Sequence, residues 1–170
     1  MDLYLDDDAF VRAPPALLYA HLIEFDAYDR WWPGLSVVRA APAGDRWDSE
    51  MAGRVHPLAG YPRDPGDSWL DVHIRAGRRR SGVRLHLRPY RFRPASGVVL
   101  DVTGDITGTA EWWLEDGYGG TVVHHLARGG VSRGRPSSVT ARYRLAVRSG
   151  LFGLKDAVQA QVREGLGLVP

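Results

Sequence analysis

SSVTARYRLAVRSGLFGLKDAVQAQVRE, residues 137–164, is the longest periodic segment of this chain. Val139, Tyr143, Val147, Gly150, Leu151, Leu154, Val158 and Val162 recur at steps of three and four, the spacing of one apolar stripe along an α-helix. Arg142, Arg144, Arg148, Lys155, Asp156 and Arg163 fill the other faces. Ser137 or Ser138 suits the N-cap and Gly165 the stop. At 1.5 Å per residue the helix is about 40 Å long, so it must lie across whatever sheet the rest of the chain builds. Gly150 interrupts the stripe at a cost of about 1 kcal/mol relative to alanine. A close approach of helix and sheet, room for a ligand, or chance tolerance would each account for it.

Upstream the period is two. Trp47, Ser49 and Met51 alternate with Asp48 and Glu50; Leu70, Val72 and Ile74 with Asp71 and His73; Val83, Leu85 and Leu87 with Arg84 and His86. Each run is a strand with one wet face. Turn residues separate the runs at Ala43-Gly44-Asp45, Tyr61 to Gly66, Pro94 to Gly97, Gly104-Asp105 and Asp116 to Gly120. About seven strands joined by mostly short loops predict a largely antiparallel sheet. Ahead of them Leu3 to Arg12 reads as a first strand ended by Pro14-Pro15. Leu18, Leu22 and Phe25, then Tyr28 and Trp31, mark two short helices in tandem that stop at Pro33-Gly34. The expected class is α+β, with a curved antiparallel sheet gripping the long C-terminal helix, residues 1–170 forming a single domain.

At 170 residues with 44% hydrophobic and 25% charged composition, the chain can bury a real core and is not a disordered or fibrous sequence. Apolar runs are too short for a membrane span, and the acidic start through Asp6-Asp7-Asp8, read as solvated, does not suit a signal peptide. Cysteine is absent, which excludes thiol catalysis and thiolate metal sites and is compatible with the cytoplasm, the compartment expected. A formal charge of +2 does not call for nucleic acid. Arg78-Arg79-Arg80 reads as a solvated turn, and Gly117-Tyr118-Gly119-Gly120 joins strands and does not open a helix, so it is no phosphate loop.

Three stretches carry a family resemblance. Ala13-Pro14-Pro15-Ala16-Leu17-Leu18-Tyr19 followed by Phe25-Asp26-Ala27-Tyr28-Asp29-Arg30-Trp31-Trp32-Pro33-Gly34 resembles the N-terminal signature of the START-like, Bet v 1-like (SRPBCC) superfamily, in its polyketide cyclase/dehydratase branch. Gly104 to Glu115 with Gly119-Gly120-Thr121-Val122-Val123 is similar to that branch's two final strands, and Gly150-Leu151 with Leu154-Lys155 to its last helix. The matches keep the family's order over nearly the whole chain. Two departures stand out: the loop from His56 to Ser68 is long and rich in proline, and His124-His125 replaces a polar residue and an aromatic one. The resemblance implies a helix-grip fold and an internal cavity for a hydrophobic or polycyclic ligand. It carries over no catalytic residue.

If Val123 points inward, as the resemblance implies, His125 shares its face and looks into the cavity, where it could exchange a proton near neutral pH. Periodicity alone equally allows the register with His124 inside. Adjacent residues of a strand face opposite ways, so the two histidines do not share a metal. His21, His56, His73 and His86 form no compact ligand spacing either, and neither a metal nor a cofactor is expected. The cavity wall is expected to include Tyr19, Trp47, Met51, Leu85, Trp112, Val123, Tyr143, Val147, Leu151 and Leu154, with the aromatic rings serving both core packing and stacking on a flat ligand. Of Trp31 and Trp32, one reads as core and the other as bordering a cavity entrance.

These residues suggest a protein that binds a small hydrophobic or aromatic molecule between sheet and helix. An enzyme version would fold a poly-β-ketone and promote aldol closure and dehydration, with His125 as acid/base and the hydroxyl of Tyr19 or Tyr143 as donor. The alternative is a non-catalytic carrier or sensor of a lipid or isoprenoid-like molecule. Convergent polar groups around His125 would favour chemistry; a wall of Leu, Val and Trp would favour carriage. A homodimer is compatible with either, and neither nucleic acid nor a membrane is an expected partner. All of it presupposes a hollow interior.

Overall fold

A computed structural model describes residues 2–39, 70–75 and 82–165. The described strands are β1 (Asp2–Val11), β2 (Leu35–Arg39), β3 (Leu70–Ile74), β4 (Val83–Arg93), β5 (Gly97–Gly104), β6 (Ile106–Gly117) and β7 (Gly120–Val131). They form one antiparallel sheet in the order β1-β7-β6-β5-β4-β3-β2. The first two strands therefore lie at opposite edges. The chain crosses between those edges through α1 (Pro15–Ile23), a 3₁₀ turn (Phe25–Ala27) and the one-turn α2 (Tyr28–Trp31). Pro14 and Pro15 end β1 and open α1 as expected, with Pro15 at the first helical position, where its missing N–H is no loss.

The alternation places one apolar face inward throughout: Leu70, Val72 and Ile74 on β3, Val83 and Leu85 on β4, Trp112 and Leu114 on β6, and Val123, His125 and Ala127 on β7 are all buried. Pro89 falls inside β4, and the ladder with β5 shifts register between Pro89 and Arg91. A bulge is where a residue without an N–H can sit in an interior strand.

The long helix α3 runs from Pro136 to Gly165. Pro136, not a serine cap, starts it, and the amides of Ser138 and Val139 donate to the Arg135 carbonyl. Val139, Tyr143, Val147, Gly150, Leu151, Leu154 and Val158 form its buried face, the stripe read from the sequence. At the far end His21 Nε2 and Gln161 Oε1 meet at 2.8 Å and join α1 to α3.

Gly150 is explained by a close approach, though not of helix to sheet. A Cβ there would stand 2.6 Å from Cδ2 and Cε2 of the Trp32 indole. Gly153, one turn on, is tighter still, because a Cβ would sit 1.7 Å from the Trp31 carbonyl oxygen. The two glycines thus let the end of α2 lie directly on the backbone of α3.

Among the described residues the space between sheet and helix is small. Between sheet and helix, among the described residues, lies a void of about 20 Å³, enough for a water and far short of the roughly 150 Å³ that accommodates benzene. Aromatic rings pack beside it. Trp31 and Trp32 stack with centroids 5.7 Å apart, Tyr28 lies 4.6 Å from Trp31, and both indoles meet the edge or face of Trp112 at 5.8–6.4 Å. Both tryptophans of the Trp31-Trp32 pair are buried, so neither borders an open entrance.

Candidate ligand site

Register builds the site. Across the concave face Asp7 of β1 is paired with His125 of β7, His125 with Trp112 of β6, and Trp112 with Val98 of β5. Residues directly opposite in a ladder point to the same face, so these four side chains form one row. His125 is buried and lies against Trp112, ring centroids 4.3 Å apart. His124 points to the convex face, where it stacks on Trp113 at 4.6 Å and its Nε2 comes within 3.3 Å of Glu115 Oε2. The choice that periodicity leaves open is thereby made for His125.

From α3, Tyr143 descends onto this row, and its hydroxyl lies 2.8 Å from His125 Nε2. The other ring nitrogen, Nδ1, is buried and has no hydrogen-bond partner. If the Tyr143 O–H donates to Nε2, the only unmet group is the Nδ1–H. The reverse polarity would strand two, the Nδ1 lone pair and the phenolic hydrogen. Unmade hydrogen bonds in a dry interior cost roughly 1–3 kcal/mol each, which favours the first arrangement.

Burial lowers the His125 pKa to about 3, and the nearby Asp7 carboxylate offsets this only in part. Burial likewise pushes the Tyr143 hydroxyl upward. Both shifts favour the neutral forms near pH 7, in which His125 and Tyr143 hydrogen-bond each other. Asp7 also departs from expectation. Asp6 and Asp8 are exposed, but the Asp7 side chain is only 10% exposed and accepts a 3.2 Å hydrogen bond from Arg148 Nη2 of α3.

The void is lined by His125, Tyr143, Trp112 and Leu85 from the expected set. Sequence reasoning did not place Tyr28, Leu35, Val72, Ile74, Leu87, Leu100 or Ala110 there, nor Trp32 as part of its wall. Leu87 and the β3 residues share the alternating pattern that singled out Leu85, so the signal was present. Val123, Val147, Leu151 and Leu154 are buried in the core without lining the void, and Tyr19 is a partly buried residue packed against that core. Trp47 and Met51 lie outside the described residues, as do His56 and Arg78 to Arg80. His86 is half-exposed and paired with Asp71. Among the described residues no three His, Asp or Glu side chains converge on a metal-sized site, and no helix is long and apolar enough to cross a membrane.

Tyr28 also belongs to the wall. Its O–H donates to the Leu22 carbonyl at 2.6 Å, and Trp112 hydrogen-bonds the phenol in turn. The indole nitrogens of Trp31 and Trp32 are buried without a partner. The site is thus an apolar chamber, and two of its lining residues carry a buried, unpartnered nitrogen, His125 Nδ1 and Trp32 Nε1.

A curved seven-stranded antiparallel sheet around a long terminal helix, with short helices after the first strand, is the helix-grip or Bet v 1-like architecture. No protein-family model and no curated protein sequence matches the chain. Solved structures do. The chain is similar to TTHA0849 from Thermus thermophilus, with a TM-score of 0.67 and 15% identity over 94% of this chain and 99% of that one. It is similar to the Zhui aromatase/cyclase from a Streptomyces species, with a TM-score of 0.62 and 14% identity over 96% and 97% of the two chains. It also resembles Ara h 8.0201, with a TM-score of 0.62 and 12% identity over 94% and 99%. At these identities the likeness is one of fold, and the fold is the one the sequence resemblance implied.

Proposed function

We propose that this protein binds a small, neutral, flat aromatic or polycyclic molecule between the sheet and α3, held through a carbonyl or hydroxyl oxygen at His125. The carrying observation is His125 among the residues that line an otherwise apolar chamber, with its Nδ1 buried and unpartnered. Buried donors are nearly always satisfied, and a ligand oxygen supplies what the protein does not. No Lys or Arg is among the described lining residues, so an anionic ligand would lose its hydration there without gaining a counter-charge.

Three naphthalenes test this by calorimetry: 2-acetylnaphthalene carries an acceptor, 2-ethylnaphthalene lacks one, and 2-naphthoate is charged. The expected order of affinity is acetyl, ethyl, naphthoate, and His125→Leu should remove the preference of acetyl over ethyl. Binding led by the naphthoate, or a preference that survives His125→Leu, refutes the assignment. Native mass spectrometry of the purified protein would identify a co-purifying molecule.

The enzyme reading, cyclisation and dehydration of a poly-β-ketone, draws support from the proton-bearing His125–Tyr143 pair and from the likeness to an aromatase/cyclase. In it His125 would take an α-proton while Tyr143 donates to the developing enolate oxygen. The wall is nonetheless mainly Leu, Val, Ile and aromatic rings, and burial weakens His125 as a base. Both features favour binding over turnover. His125→Ala that retains binding but loses turnover would reverse that preference.

A further inference from the structure

We infer that the Trp32 indole stands in the ligand's own place, so that Trp32 is the residue that fixes which ring systems the interior admits; this rests on the ligand-binding reading above. Trp32 is 4% exposed and lines the void. It stacks on Trp31 and Tyr28, with centroids 5.7 and 6.2 Å away and interplanar angles of 25° and 29°, and it meets Trp112 at 5.8 Å and 78°. Parallel rings beside it and an edge across from it are the surroundings that a bound flat aromatic would want.

Two observations mark the indole as displaceable and not as ordinary core. Its Nε1 is buried without an acceptor, as is that of Trp31 stacked on it, but of the two only Trp32 lines the void, and the Tyr28 hydroxyl beside it is fully engaged. In water that N–H would be satisfied, so the closed position gives up a hydrogen bond that the swung-out position regains. Its seat on α3 is bare backbone: any side chain at position 150 would collide with the ring, Nε1 included, at 2.6–2.9 Å. The helix thus leaves a ring-shaped space and the chain fills it with one of its own rings.

Trp32 also lies at the right place in the chain to move. It follows α2 in an extended conformation, φ −101° and ψ 102°, and Pro33 and Gly34 after it are exposed. The backbone is pinned on both sides, with the Trp32 amide donating to the Tyr28 carbonyl at 2.8 Å and the Leu35 amide donating to the Trp32 carbonyl at 3.2 Å. In the inferred motion the side chain rotates toward the exposed Pro33-Gly34 turn while these backbone bonds and α2 stay in place. The ligand class that follows is a planar system of at least two fused rings.

The test measures binding of 2-acetylnaphthalene to the wild type and to Trp32→Ala. Removing a group that keeps the competent state at a tenth or less of the population raises apparent affinity by about tenfold or more, and that gain is expected. Acrylamide quenching should also show, in the wild type but not in Trp32→Phe, one indole becoming accessible as the probe binds. Equal affinity of wild type and Trp32→Ala overturns the assignment of Trp32 while leaving the ligand reading in place. Binding by neither overturns both. Should Trp32→Ala fail to fold, Trp32→Leu, which keeps apolar bulk but vacates most of the ring's space, carries the test with a gain in the same direction, and no gain there is equally fatal.

Discussion

Acid should unfold this protein partly through one imidazole. His125 titrates near 6.5 in an unfolded chain and at about 3 in the folded one. The unfolded state therefore binds the proton first. The stability contributed by the neutral buried ring is complete above about pH 6.5 and is lost progressively as pH falls toward about 3. Between those limits the slope approaches 1.4 kcal/mol per pH unit, the value for one proton, so lowering pH from about 7 to 4.5 should remove about 3 kcal/mol. For a chain of this size that corresponds to roughly 6–12 °C in Tm. Carboxylates such as Asp7 contribute to acid sensitivity as well, so the measurement is a difference between two proteins. His125→Gln keeps an amide beside the Tyr143 hydroxyl but does not titrate. Urea unfolding followed by circular dichroism at both pH values should give a wild type that loses about 3 kcal/mol more than the variant. Parallel pH curves would show that His125 is already hydrated or charged in the fold and would refute the account of the dry chamber.

Tyr143→Phe strands both nitrogens of His125 and should lower stability by about 1–3 kcal/mol, whereas His125→Leu with Tyr143→Phe should cost less than that single change; an additive double variant in denaturant titrations would contradict the pairing. Gly153→Ala gains about 1 kcal/mol of helix propensity yet drives a methyl group against the Trp31 carbonyl, so Tm should fall, and a rise would show that α2 does not lie on α3 as described. Leu154→Ala, at a fully buried position, should cost about 2–5 kcal/mol in the same titration.

The architecture was legible because period and punctuation agreed. The stripe from Val139 to Val158 and the turns at Pro94 to Gly97 and Asp116 to Gly120 fall where the structure has them. The site was legible in part. His125, Trp112 and Tyr143 could be named from alternation and helical spacing, since each lies on a long regular element. Register across the sheet was not available, which is why Asp7 read as one of three solvated acids when it lies inward beside His125. Volume was not legible either. Periodicity reports which face is apolar but not how far a side chain reaches across the gap, and Trp32 reaches far enough to line the void and meet Trp112. Gly150 held the clue, but a missing side chain does not say whose atoms take its place.

The order of the strands sets a timetable for folding. β1 finds its only described neighbour in β7, residue Val11 opposite Thr121, so on the ribosome β1 stays an unmatched edge until β7 emerges. At 5–20 residues per second that interval is roughly 5–20 s, and contacts so distant in sequence also slow refolding of the finished chain. During that time Leu3, Leu5 and Val11, all buried in the completed sheet, are open to other nascent chains, so overproduction at low temperature or with a chaperone should raise the soluble yield.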